Sequence, residues 1–203
     1  MEANEAADNI QEAAEERTEE KERERFRREA AIVIGVLAML LAITALGGDQ
    51  ARTTETNANI RASDAYAFYQ AKYIRQTDYR LAADNLQALL RTQPSLPAAA
   101  RATIATRIAA DRATAARYED DPRGGSGKKQ LLAQATHYGE ERDHAERQDP
   151  YFNYAQALFQ IAIVLGSVSI VAAARSILRA AVGLGVVAFL LMLNGYFLIV
   201  MIT

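Results

Sequence analysis

The chain has no cysteine and no tryptophan, and only four prolines and two histidines among its 203 residues. Without cysteine there is no disulfide, no thiolate metal site and no cysteine nucleophile, and no redox compartment can be inferred. Few prolines and scattered β-branched residues leave little to interrupt helices, and abundant alanine favours them. Net charge is small as well, −2 at pH 7, with a mean hydropathy of −0.11. Those averages resemble a soluble protein's, but they are the mean of very apolar and strongly charged segments, so each segment must be read by itself.

Three apolar runs stand out. The first, 30–46, is about 17 residues long, the short end for a bilayer-crossing helix. The charged stretch ahead of it is too long for a cleavable signal peptide, so it reads as a signal anchor. The second and third, 151–174 and 180–203, are each roughly long enough to cross a hydrocarbon core of about 30 Å. Only Arg175-Ser176-Ile177-Leu178-Arg179 separates them. The expected fold class is all-α, with three transmembrane helices and a helical, coiled-coil-like extramembrane region.

Orientation follows from the lysine and arginine bias near the ends of the runs. Residues 1–29 form a charged tail whose basic end includes Lys21, Arg23, Arg25, Arg27 and Arg28. That end and a short loop at 175–179, with Arg175 and Arg179, are expected on the cytoplasmic side. The region 47–150 and the C-terminus then lie outside. The tail's basic end could touch anionic lipid. Its interleaved acids argue against nucleic acid.

Within 47–150 three helices are expected. The first covers about Asn59 to Arg91, with Ile60, Ala67, Ile74, Leu81 and Ala88 recurring every seven residues as an apolar stripe. Pro94-Ser95-Leu96-Pro97 stops it, and a second helix follows from Ala98 to Tyr118. A flexible linker at 119–129, rich in glycine, leads to a third helix that ends at Asp149-Pro150. That pair reads as N-cap and N1 of the next apolar helix.

Few residues could carry chemistry. Tyr66, Tyr69 and Tyr73 share one helical face, with Phe68 turned away from it, and suit packing or a partner interface. His137, Glu141 and His144 fall at i, i+4 and i+7 on one face, a weak metal candidate that nothing completes. The Gly124–Lys129 stretch fails phosphate-loop spacing. Inside the apolar runs, Thr44, Gln160 and Asn194 fall at similar depth, so a hydrogen bond between Gln160 and Asn194 is expected, with Thr44 nearby or facing another subunit. The pairs Ala31/Gly35, Ala162/Gly166 and Ala181/Gly185 would allow close helix approach.

The stretch Ser63-Asp64-Ala65-Tyr66-Ala67-Phe68-Tyr69-Gln70-Ala71-Lys72 and the later Leu158-Phe159-Gln160-Ile161-Ala162-Ile163-Val164-Leu165 carry a resemblance. Together they resemble a bacterial membrane family known as domain-of-unknown-function family 4337. The resemblance covers most of the chain after the tail. It departs in Tyr66, where the family pattern has tryptophan, and in a longer middle rich in alanine and arginine. It implies three spans, a helical middle and a bacterial inner membrane, but no activity.

The functional expectation is a structural or accessory subunit that meets lipids and protein partners, or copies of itself, without cofactor or catalysis. The alternative is a homo-oligomeric pore or small-solute transporter lined at the Gln160–Asn194 level.

Overall fold

The computed structural model describes residues 2–200, with side chains from Arg17 onward. Residue 1 of the expected tail and 201–203 of the last run lie outside the described residues, as do the side chains of 2–16. Four helices are found among the described residues, and no strand: α1 (Glu2–Thr92), α2 (Ala98–Glu119), α3 (Lys128–Ala172) and α4 (Arg175–Phe197). They divide into two compact units. Unit 1 comprises Met1–Thr53 with Ala145–Thr203, and unit 2 comprises Thr54–His144.

Three of the helices are long and apolar enough to cross a membrane. Their apolar stretches make up unit 1, where α1 and α4 run parallel and α3 runs antiparallel to both. The contacts set this arrangement: Leu37 and Gly47 of α1 meet Gly185 and Tyr196 of α4, whereas Ile34 and Gly48 meet Gly166 and Phe152 of α3. Leu37, Ala155, Phe159, Ala162, Ala188 and Met192 form the buried core of the unit. Two of the expected small pairs serve it. Ala162 and Ala181 are fully buried, and a side chain at Gly166 or Gly185 would strike Ile34 or Leu37. The third pair does not, because nothing lies within 4 Å of where a Cβ on Gly35 would be.

Helix boundaries depart from expectation in three places. First, α1 passes through Gly47 and Gly48 without a break, although glycine there disfavours helix by about 1 kcal/mol each. Both glycines are buried notches. A Cβ on Gly47 would sit 2.6 Å from the Tyr196 hydroxyl and 2.7 Å from Phe152, and one on Gly48 would sit 3.2 Å from Phe152 Cβ. Close packing outweighs propensity at these two positions.

Second, α3 does not restart at Asp149-Pro150; it carries Pro150 in its interior. Asp149 does not cap a new helix. It accepts hydrogen bonds from Arg52 Nε at 2.8 Å and from Asn153 Nδ2 at 2.6 Å. Arg52 also donates to Asn153 through Nη2. With Ala145 before the proline and Phe152 after it both buried, side-chain anchoring carries the helix through the lost backbone bond.

Third, the 175–179 segment is no loop. It forms the first turns of α4. The reversal needs only Ala173 and Ala174. Ala173 takes a left-handed conformation (φ 49°), and the Ala174 amide donates to Ser169 at 3.1 Å, as in a glycine-type helix stop. Arginine is a good helix former, so both arginines fit the helix with their side chains exposed.

In unit 2, α1 is paired antiparallel with α2 along its last turns and with the start of α3 before that. Tyr79 meets Tyr118 with ring centroids 5.8 Å apart, and Arg61 lies 5.7 Å from the Tyr138 ring. Along α1 in this unit Ala58, Ala62, Ala65, Tyr69, Lys72, Gln76, Tyr79, Ala83, Leu86 and Leu90 form a buried or half-buried series, with Thr54, Glu55, Gln87 and Leu89 half-buried beside it. The spacing within the series alternates between four and three residues, which keeps one narrow face turned inward.

This inward face is not the expected one. Ile60, Ile74 and Leu81 are 53–60% exposed, and Ala67 and Ala88 are exposed too. A seven-residue period fixes a stripe but not which stripe faces the neighbour. Here the chosen face has alanines, which let backbones approach closely, and two polar residues whose partners lie across the interface. The larger aliphatic stripe is left outside.

Candidate partner-docking surface

The inner side of unit 2 holds a polar cluster at the corner between α2 and α3. Gln76, 1% exposed, donates from Nε2 to the Ala115 carbonyl at 3.0 Å and to Glu119 Oε2 at 2.8 Å. Its Oε1 accepts from Lys128 Nζ at 2.8 Å, and the same ammonium reaches Glu119 at 2.9 Å. Tyr73 and Tyr69 flank that ammonium, with ring centroids 4.9 and 5.8 Å away, a cation–π arrangement. Lys72 lies 5.0 Å from the Tyr118 ring.

Hydrogen bonds from Gln76 and Lys128 hold the Glu119 carboxyl below its ordinary range, against a smaller opposing effect of desolvation. Hydrogen bonds from Gln130 and Lys129 lower Asp120 in the same direction.

The corner itself, 120–127, is a hydrogen-bonded bend. Asp121 accepts from the Gly124 amide and the Ser126 hydroxyl, both at 3.1 Å, and Gly125 adopts positive φ. Chemically the cluster is a lock. It satisfies every buried donor and acceptor it contains, and its lysine is engaged rather than poised.

The three tyrosines expected on one face differ in burial. Tyr69 is half-buried over Lys128, Tyr73 lies over the same ammonium but is 54% exposed, and Tyr66 is 46% exposed. Phe68 is 62% exposed, set off from the two exposed tyrosines. On the outer side these aromatics flank the Ile60–Ile74–Leu81 stripe. Tyr66 and Tyr73 each precede a stripe residue, and Phe68 follows one. The result is a run of large apolar side chains along one helix, edged by Arg61, Asp64, Arg75 and Asp78, all exposed.

The remaining sequence candidates are scattered. His137, Glu141 and His144 are exposed on α3, and among the described residues no group of three acidic or histidine side chains is placed to hold a metal. Thr44 is fully buried, but its hydroxyl donates to its own helix, to Leu40 O at 2.7 Å. Gln160 is exposed, and no hydrogen bond joins it to Asn194. The expected interhelical bond is therefore absent. Asn194 instead holds the chain beyond α4: Nδ2 donates to Val200 O at 2.7 Å and Oδ1 accepts from Val200 N at 2.8 Å. The Tyr151 hydroxyl donates to the same carbonyl at 2.7 Å. The physical reason is the helix end. Leu198 turns left-handed at the C-cap, which brings Val200 back within reach of the last polar side chain of α4.

Arg27 and Arg28 are exposed near the start of the first apolar stretch, and Arg175 and Arg179 are exposed at the start of α4.

Sequence reasoning missed Gln76, Glu119 and Lys128. The available signal was position: Gln76 falls seven residues after Tyr69 and seven before Ala83, in the inward stripe.

Comparison with known families gives a match over residues 26–198 to the profile described as Domain of unknown function (DUF4337). The chain belongs to this family. No curated protein and no solved structure matches it. The match covers most of unit 1 and all of unit 2, so the exposed face of α1 described above lies within the family's extent.

Proposed function

We propose that this DUF4337 member is an integral membrane accessory subunit that holds a partner protein on the outer face of α1. The observation that carries the reading is the exposed stripe Ile60–Ile74–Leu81 with Tyr66, Phe68 and Tyr73 beside it. Scattered apolar residues on a surface need no explanation, but large ones recurring at a seven-residue period, with aromatics and exposed charges beside them, suit an interface. Unit 2 has its own satisfied inward seam, so the outer row is spare for intermolecular use. Its seven-residue period suits a helical partner in a coiled-coil-like contact.

Three apolar helices support membrane residence. The arginines at 27, 28, 175 and 179 support an orientation with the start of α1 and the α3–α4 turn in the cytoplasm. On that orientation unit 2 and the C-terminus are outside, in a bacterial inner membrane. A reporter fused at Gly125 tests the side, with external labelling expected.

The partner reading is tested by purification from gently solubilised membranes, comparing the natural chain with Ile74→Glu. A defined partner should accompany the natural chain and be lost from the variant. An equal yield from both, or a free monomer in both, would refute it. The pore reading receives no support from the side chains proposed to line it, because Asn194 is engaged with Val200.

A further inference from the structure

The second exposed feature lies in unit 1, and it has two parts whose chemistry matches a single ligand. An open groove of about 390 Å³ runs between α1 and α4. Its walls are Ile32 and Val36 on one side and Val182, Val186 and Phe189 on the other. Its floor is the point where Leu37 fits against Gly185. Every lining side chain is apolar. A hydrocarbon chain can lie along such an apolar surface.

The two helices are parallel, so both leave the groove toward the same end. Arg28 is four residues before Ile32, and Arg179 is three before Val182. Offsets of three and four keep each arginine on roughly the same side of its helix as the groove wall above it. Both arginines are exposed. Glu29, four residues before the lining residue Val33, is paired with Arg25 at 3.3 Å. No acid occurs anywhere in α4. Arg175 is a weaker contributor, because it shares a separate cleft with Glu19, Glu22 and Arg23. The free amides at the start of α4 add positive potential on the same side.

We infer that the α1–α4 groove binds one anionic phospholipid, its acyl chain along the groove and its phosphate between Arg28 and Arg179. The inference rests on these helices spanning a bilayer, but not on the partner reading, since it uses neither unit 2 nor the outer stripe. An apolar groove alone would accept any lipid chain. The arginine pair selects a net negative head group, because an arginine near a membrane surface is worth about five-fold in affinity for anionic lipid.

The test is native mass spectrometry of the purified full chain in detergent, titrated with phosphatidylglycerol, with phosphatidylcholine of the same chains, or with glycerol phosphate. One phosphatidylglycerol should be retained about ten-fold or more over phosphatidylcholine, and glycerol phosphate should not compete. Arg28→Gln with Arg179→Gln should cut phosphatidylglycerol retention about 25-fold and leave phosphatidylcholine unchanged. Arg28→Lys with Arg179→Lys should keep the preference, which guards against a variant that misinserts. Val186→Phe, which fills the groove and spares the arginines, should lower retention of both lipids.

Equal retention of the two lipids overturns the inference, as does an unaffected glutamine pair or competition by glycerol phosphate. Loss of lipid binding with partner capture intact would refute this site alone. A chain that stays soluble without detergent would refute the membrane reading beneath it.

Discussion

The two units bury their helices by opposite means. Unit 1 fits large side chains into missing ones: Phe152 packs at Gly47, Gly48 and Gly195, Leu37 at Gly185, and Ile34 at Gly166. Phe152 also meets Tyr196 edge-on, with centroids 4.9 Å apart. Unit 2 lines its seam with alanine and closes it with the Gln76–Glu119–Lys128 lock. The difference follows from the solvent each is suited to. In lipid, apolar surface gains little by leaving its surroundings, and helices associate through close packing at small residues. In water, a thin alanine seam buries modest apolar area, so a satisfied polar cluster can fix register where apolar contacts are nearly interchangeable.

The comparison breaks most visibly if unit 1 loses an aromatic. Phe159 is fully buried, and Phe159→Ala should cost about 3 kcal/mol, the low end for such a truncation because lipid can repay part of the transfer free energy. Hydrogen exchange on the full chain in detergent should show faster exchange along α4 and the apolar part of α3, with 60–90 unchanged. Equal loosening of both units would mean that they are not independently stabilised.

The converse substitution is Gln76→Leu. It removes one of the hydrogen-bond acceptors of Lys128 and leaves the Ala115 carbonyl and Glu119 short of a donor. A loss of about 1–3 kcal/mol is expected, read as reduced protection at 108–131 with unit 1 unaffected. A gain in stability would show that the lock serves register at the expense of stability, as buried ionic groups do in some proteins.

These two sites also mark what could be read from sequence. The break between α1 and α2 was legible, since Pro94 and Pro97 act on the backbone directly and need no tertiary knowledge. The three apolar stretches were legible from length alone. The phase of the unit 2 seam was not. Ile60, Ile74 and Leu81 look more core-like than Ala58, Ala65 and Gln76, and the partners of Gln76 lie 39 or more residues away. Pro150 misled for a related reason: it is a local breaker overruled by a contact that propensity does not include, Arg52–Asp149.

A smaller effect tests the turn between α3 and α4. Ala173 is held at φ 49°, where an alanine pays about 1–2 kcal/mol that glycine avoids. Ala173→Gly should therefore stabilise unit 1 by about 1 kcal/mol, somewhat offset by the added freedom of the unfolded chain. Thermal unfolding in detergent would show it as a raised midpoint, and a lowered midpoint would mean that the alanine methyl makes a contact worth more than the strain.

The gentlest perturbation is acid, which acts on unit 2 through the lowered carboxyls of Glu119 and Asp120. Glu119 lies below its ordinary range through hydrogen bonds from Gln76 and Lys128. A carboxyl depressed in the folded state adds stability that is fully present above its unfolded value, about 4.3 for glutamate. That stability is lost as pH falls through the lower, folded value. Lowering pH from 7 to 5 should therefore change nothing at the α2–α3 corner, and protection there should decline only below about pH 4.3. Glu119 is 38% exposed, so water and salt screen the interaction and about 0.5 kcal/mol is the scale to expect. Asp120, held down by Gln130 and Lys129, shifts the corner in the same direction. Glu119→Gln should flatten most of the acid response at residues 115–131. A response that survives in that variant would assign the acid sensitivity to Asp120 and its neighbours, and a corner that weakens between pH 7 and 5 would contradict the lock as drawn.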